Sequence, residues 1–188
     1  MANRNVIIIH GAYGYPEENW FGWLKRELQD LNMDCHVPHF PTPEGQHLDR
    51  WLEIFDRDFQ SLIHGNTILI GHSLGAAFIL RWLETHPCSL ASVILVGAFF
   101  GSVGNEKFDH INESFFRTPF DWTTIRERAQ SFVSYYGTED PYVTQETFDT
   151  IAHALQAKKM VIANAKHFNT ASGYHQFPQL LDHLKQYS

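Results

Sequence analysis

Thr67-Ile68-Leu69-Ile70-Gly71-His72-Ser73-Leu74-Gly75 is the stretch whose reading decides the fold. Its first four residues are a short, continuous apolar run of the kind that forms a parallel strand buried on both faces. Beyond the serine the pattern changes to helical spacing, with Leu74, Ala77, Phe78 and Trp82 on one face and a stop before Pro87. A serine between two glycines at such a junction sits on a sharp turn, which lifts its hydroxyl above the sheet edge and strains the backbone beneath it. The glycines leave room for the turn and for close packing of the helix. The plainer alternative is a glycine-rich turn whose serine caps the helix. The strand–turn–helix context favours Ser73 as a nucleophile.

The same alternation runs outward in both directions. Upstream, Val6-Ile7-Ile8-Ile9 reads as a strand ending on His10-Gly11, and Trp20, Trp23, Leu24, Leu28 and Leu31 stripe the helix that follows. Cys35-His36-Val37 is a weaker strand stopped by Pro38, Pro41 and Pro43; Leu48, Trp51, Leu52, Phe55, Phe59 and Leu62 mark a second helix. Downstream come strands at 92–96, 132–136 and 160–162, a helix striped by Phe148, Ile151, Ala152 and Leu155, and a closing helix with Phe177, Leu180, Leu181 and Leu184. The stretch from Gly101 to about Gln130 breaks the rhythm. Rich in Phe and Trp, it reads as an excursion over the sheet. Strands alternating with helices demand parallel pairing through right-handed crossovers, hence an α/β sandwich with helices on both faces. With no repeat or low-complexity tract, the 188 residues suit a single domain, 1–188.

Composition excludes several functions. A net charge of −7 with no Lys/Arg cluster argues against nucleic acid or an anionic membrane as the main partner. The longest apolar runs, 6–9 and 93–96, are far too short to span a bilayer. Met1-Ala2-Asn3-Arg4-Asn5 enters the first strand without a signal-peptide pattern. Two cysteines, Cys35 and Cys88, make neither a disulfide framework nor a metal quartet, so the expected setting is the reducing cytoplasm. Oligomeric state is not written in any readable pattern, the apolar helix faces being accounted for by the sheet.

A serine hydroxyl needs a base to take its proton and an acid to orient that base. In sheets of this kind the acid and then the histidine follow the serine, on later strand-end loops. Tyr136-Gly137-Thr138-Glu139-Asp140-Pro141 puts Asp140 at the end of the fifth strand, and Ala165-Lys166-His167-Phe168 puts His167 after the sixth. Glu139 is an alternative acid, and Asp140 has a competing role in shaping the turn before Pro141. His175 is the rival base; His153 and His183 fall on helices facing solvent, and His72 reads as a packing residue. The backbone N–H groups of Leu74, at the start of the helix, and of Ala12, after the His10-Gly11 pair, are the expected donors to an oxyanion. Together these residues suit acyl transfer with no metal or organic cofactor: Ser73 attacks a carbonyl, His167 carries the proton and Asp140 holds the imidazole tautomer. The expected partner is a small-molecule acyl substrate; esters, thioesters and small amides share the machinery. Tyr13, Tyr15, Phe108, Phe115, Phe116, Phe120 and Trp122 are candidates for an apolar pocket or, equally, for core. Two other readings stand beside this one. An inactive binding module can use the same scaffold, and Cys35, His36 and His39 form a short cluster unlike a closed zinc site.

Taken together, the chain resembles the retinoblastoma-binding-protein-9-like serine hydrolases, a compact branch of the α/β hydrolases. The likeness covers nearly the whole chain: Trp20-Phe21-Gly22-Trp23-Leu24, the segment from Pro38 to Pro43 followed by Trp51, Gly71 to Gly75, Phe115-Phe116-Arg117 with Trp122, Asp140-Pro141 and His167-Phe168. The resemblance implies a Ser73, Asp140, His167 triad in a carboxylesterase-like serine hydrolase. It also implies a minimal α/β-hydrolase fold, a three-layer sandwich with a mostly parallel six-stranded sheet and no large cap domain. A Leu-x-Cys-x-Glu partner motif occurs in one branch of the family. Here Met33 and Val37 stand where its Leu and Glu belong around Cys35, so that partner is not expected.

Overall fold

Alternate residues of the central strands enter two separate cores, so the sheet is covered on both faces. The computed structural model describes residues 4–187. Met1, Ala2 and Asn3, part of the start read above as free of a signal peptide, and Ser188, the end of the expected domain, lie outside the described residues. The strands are β1 (Arg4–Ile9), β2 (Met33–His36), β3 (Ile68–His72), β4 (Ser92–Val96), β5 (Phe132–Gly137) and β6 (Lys158–Ile162). They form one sheet in the order β2-β1-β3-β4-β5-β6, and every pairing is parallel. The expected, mostly parallel sheet is thus wholly parallel among the described residues.

The helices are α1 (Phe21–Asp30), α2 (Leu48–Phe59), α3 (Leu74–Thr85), α4 (Glu106–Asn112), α5 (Trp122–Arg126), α6 (Gln145–Leu155) and α7 (Pro178–Leu184). Val6, Ile8, Ile70 and Val96 point to one face, where Phe21, Leu24 and Leu28 of α1 and Leu180 and Leu184 of α7 cover them. Ile7, Ile9, Leu69, Val93 and Leu95 point to the other, against Trp51 and Phe55 of α2, Phe78 and Trp82 of α3, and Ile151 and Leu155 of α6. This is the period-two alternation of a pleated strand, visible in the sequence only as continuous apolar runs because both faces are buried. The architecture is a three-layer sandwich with no large cap domain among the described residues. No helix among them is long and apolar enough to cross a membrane.

Several boundaries differ from the sequence reading. β2 begins earlier, at Met33, while Leu31 follows α1 rather than belonging to it. Phe177 precedes α7, whose first turn opens on Pro178, a residue with no amide proton to leave unsatisfied. The largest departure is α3, expected to be one-sided but buried all round from Leu74 to Leu83. α2, α5 and the 3-10 turn at Glu113–Phe115 pack on α3, most of whose inner contacts are with β3.

Arg81, on α3, ties down that cover. It is buried; its Nε donates to the carbonyl of Phe115 (2.8 Å), Nη2 donates to the carbonyl of Thr118, and Nη1 donates to Glu84 (2.9 Å). The guanidinium also lies 3.7 Å from the ring centre of Phe120. Arg81→Met is expected to lower stability by about 3 kcal/mol, because it strands the carbonyl of buried Phe115 and takes the guanidinium from the Thr118 carbonyl and the partly buried Glu84 carboxylate. Urea unfolding checks this. Arg50→Met, which removes an exposed pair with Glu53, is expected to leave the midpoint nearly unmoved, and equal shifts would contradict the account.

Candidate active site

The sheet order puts the C-terminal ends of β1 and β3 side by side where the chain departs in opposite directions, toward β2 and toward β4. Open α/β sheets build their sites at such a switch point. Ser73 occupies it, directly between β3 and α3, with φ 56 and ψ −121. A residue with a side chain held there costs on the order of 1–3 kcal/mol. Two backbone bonds hold it: Ser73 N–H donates to the carbonyl of Val96 (2.9 Å), prolonging the β3–β4 ladder, and Ala76 N–H donates to the carbonyl of Ser73 (3.0 Å). Gly75 makes the geometry possible, since a Cβ there would collide with the carbonyls of Ile9 and His10 at the end of β1.

Ser73 Oγ lies 3.0 Å from His167 Nε2, and His167 Nδ1 lies 2.8 Å from Asp140 Oδ2. A carboxylate only accepts, so Nδ1 carries the ring proton and donates it, leaving Nε2 to accept from the serine hydroxyl. The Asp140 side chain is 0% exposed, and its other oxygen accepts from the backbone amides of Tyr142 (2.8 Å) and Val143 (3.0 Å). The loop carrying His167 is pinned through its backbone. His72 Nε2–H donates to the carbonyl of His167 (2.8 Å), and Trp20 Nε1–H donates to the carbonyl of Phe168 (3.0 Å). Thr138 accepts from Lys166 N–H at its carbonyl (3.1 Å) and from Asn164 N–H at its hydroxyl (2.7 Å), joining the loop after β6 to the loop after β5.

Trp20, Thr138 and Gly97 escaped the sequence reading as site-shaping residues. Gly97 has φ +57, and a Cβ on it would stand 3.2 Å from Nδ1 of the His167 ring. A glycine directly after the β4 run is the one readable signal among the three. The rival residues lie elsewhere: Glu139 and His175 are exposed and make none of these bonds. His153 is exposed on α6. His183, expected in solvent, is half-buried with its ring against Tyr135 and Tyr187, because α7 packs on the sheet at that point. His72 is a packing residue with one polar duty; its Nδ1 is buried with no hydrogen-bond partner among the described residues.

The first loop is ordered by His10. Phe40 N–H donates to His10 Nε2 (3.2 Å), so Nδ1 carries the proton and donates to the carbonyl of Gly11 (2.8 Å), which also accepts from Gly14 N–H (3.2 Å). In a trans peptide the N–H points opposite the C=O, so fixing the Gly11 carbonyl fixes the direction of Ala12 N–H. Neither Ala12 N–H nor Leu74 N–H donates to an acceptor among the described residues. A cavity of about 450 Å³ lies between Ser73, His167 and this loop. Of the aromatics open to either pocket or core, Tyr13, Tyr15 and Phe108 line it, joined by Phe99 and Tyr142. Phe115, Phe116, Phe120 and Trp122 pack in the layer over α3 instead. Among the described residues no group of three or more His, Cys, Asp or Glu is placed to hold a metal ion, and Cys35 is buried in the α1 core.

A family model described as serine hydrolase matches residues 6–186. The chain is 28% identical over 186 residues to YdeN of Bacillus subtilis (strain 168), covering 98% of this chain and 96% of that protein. The crystal structure of the ydeN gene product matches with a TM-score of 0.91 at 29% identity, covering 98% of each chain. Serine hydrolase RBBP9 of Rattus norvegicus is 26% identical over 166 residues, 87% of this chain and 86% of that one. Est1E of Butyrivibrio proteoclasticus, solved with ferulic acid bound, shares the fold alone, with a TM-score of 0.74 at 13% identity over 98% of this chain and 87% of its own.

Burial pushes the His10 imidazole down from 6.5 to about 4, and burial with the neighbouring His167 pushes His72 down to about 3. The unfolded chain therefore takes up protons near pH 6.5 that the folded chain refuses until about pH 4 and 3. Stability present above pH 6.5 is lost as pH falls through that window, at about 1.4 kcal/mol per pH unit for each histidine. Urea unfolding at pH 6.5, 5.5 and 4.5 is expected to give a shallower decline for His72→Asn than for the wild type, by about one proton. Equal slopes would contradict the assignment.

Proposed function

The chain belongs to the serine hydrolase family, and from that membership we propose that it cleaves a small carboxylic ester or related acyl substrate through Ser73, His167 and Asp140. The observation that carries the proposal is the unbroken line from Ser73 Oγ through the His167 ring to the buried Asp140 carboxylate, at 3.0 and 2.8 Å, beside a cavity with room for a small molecule. His167 Nε2 takes the hydroxyl proton as Ser73 Oγ attacks the carbonyl carbon. Asp140 holds the ring in the Nδ1–H tautomer and stabilises the imidazolium. The N–H groups of Ala12 and Leu74 receive the oxyanion; the pinned Gly11 carbonyl and the helix start at Leu74 support that assignment. His167 then protonates the leaving group, and water repeats the sequence on the acyl-enzyme.

The same reading takes the chain as a single α/β-hydrolase domain acting on a small molecule. Its two cysteines are free, one buried and one half-buried, which suits a reducing cytoplasm.

An alkyl fluorophosphonate is expected to label the wild-type protein once, on Ser73, and Ser73→Ala is expected to abolish the label. Asp140→Asn is expected to slow labelling by about 1,000-fold or more, since the ring then loses its favoured tautomer. Peptide mapping by mass spectrometry reads both results. Labelling that survives Ser73→Ala, or folded wild-type protein that resists a probe to which a control hydrolase yields, would overturn the proposal.

A further inference from the structure

The cavity beside Ser73 is lined by a carboxyl, that of Glu18, which the acyl-transfer steps do not use. Glu18 is half-buried on the loop before α1, and its Oε1 lies where a Cβ on Gly14 would strike it. No lysine or arginine lines the cavity, and among the described residues none forms an ion pair with Glu18. A carboxylate drawn out of water with no cation beside it is unfavourable, and burial pushes this one up to about 7. The cavity therefore offers this carboxyl no positive charge of its own. Around its mouth stand Tyr13, Tyr15 and Tyr142, 49%, 52% and 55% exposed, with Phe108 6.1 Å from the Tyr13 ring. Aromatic faces attract cations while tolerating apolar substituents on them.

We propose that Glu18, with Tyr13 and Tyr15, forms a subsite for an ammonium group, so that the preferred substrates are acyl compounds carrying a positive charge. The inference rests on the acyl-transfer reading of Ser73. Against this carboxyl an anionic substrate meets like charge, and a neutral one leaves the half-buried carboxylate with a backbone hydrogen bond from Tyr15 but no countercharge; an ammonium group answers both.

Two p-nitrophenyl phosphonates of nearly equal volume test it, one bearing a 2-(trimethylammonio)ethyl group and the other the neutral 3,3-dimethylbutyl group. In each reaction Ser73 Oγ forms a bond to phosphorus, p-nitrophenolate leaves with the bonding electrons, and the serine proton passes to His167. Release of p-nitrophenolate gives the second-order rate constant. The cationic probe is expected to react about tenfold or more faster with the wild type, and Glu18→Gln is expected to bring the ratio to about twofold or less. Taking the ratio within each protein cancels any general change in reactivity, and reaction with the neutral probe shows that the variant is folded. A ratio unchanged in Glu18→Gln, or a wild-type preference for the neutral probe, would overturn the subsite while leaving Ser73 as the nucleophile. If neither probe reacts with the wild type, the acyl-transfer reading fails and the subsite falls with it.

Discussion

The start of α3 presses onto the ends of β1 and β3, a contact that exists only because residues 75 and 71 have no side chains to strike β1 and α3 respectively. That contact leaves the chain one residue in which to turn from strand to helix, and Ser73 takes the strain. The cost, on the order of 1–3 kcal/mol, is small against what α3 gains. Leu74, Phe78 and Trp82 are buried almost completely, and each such side chain contributes about 1.5–3 kcal/mol on leaving water. The turn is thus stable because the helix behind it is buried on every side, and it is buried because the excursion lies over it, held by Arg81. A feature far from the serine in sequence sets the stiffness of the serine's own turn.

Around that turn, buried side chains grip backbone carbonyls, one within the first loop and two across to the loop after β6. His10 holds Gly11, His72 holds His167 and Trp20 holds Phe168. A grip on the main chain fixes the direction of a whole peptide plane, and through it the position of the next side chain or amide. All three side chains are buried and neutral, so each bond forms in surroundings where water does not compete. The arrangement has a consequence in acid: both imidazoles would still donate when protonated, but each would then carry a charge in a place that water does not reach.

Much of this is legible in the sequence. The apolar run at 67–70 meeting Gly71-His72-Ser73-Leu74-Gly75 is a local signal whose physical cause is also local, a strand ending in a tight turn. Asp140 and His167 stood out because strand ends in a parallel sheet gather at one edge, so their places followed from counting strands. The rest has causes that sequence periodicity does not carry. Both α3 and the excursion are rich in apolar residues, and nothing in their spacing says that one covers the other. That is why the sequence leaves Phe115, Phe116, Phe120 and Trp122 open between pocket and core; they are cover, while Phe99 and Tyr142 line the cavity. The left-handed turn at Gly97 and the partners of His72 and Trp20 depend on residues up to 148 positions away. His183 looked exposed on its own helix and is half-buried because of where that helix docks.

On the mechanism proposed above, the strained serine and the amides at positions 12 and 74, which donate to no acceptor among the described residues, converge on one reacting group. A crystal structure of the protein with an alkylboronic acid tests this most directly. The account predicts a tetrahedral boron bonded to Ser73 Oγ, with one boron-bound oxygen within hydrogen-bonding distance of both Ala12 N–H and Leu74 N–H. A boronate bonded elsewhere, or an adduct on Ser73 whose oxygens turn away from both amides, would contradict it.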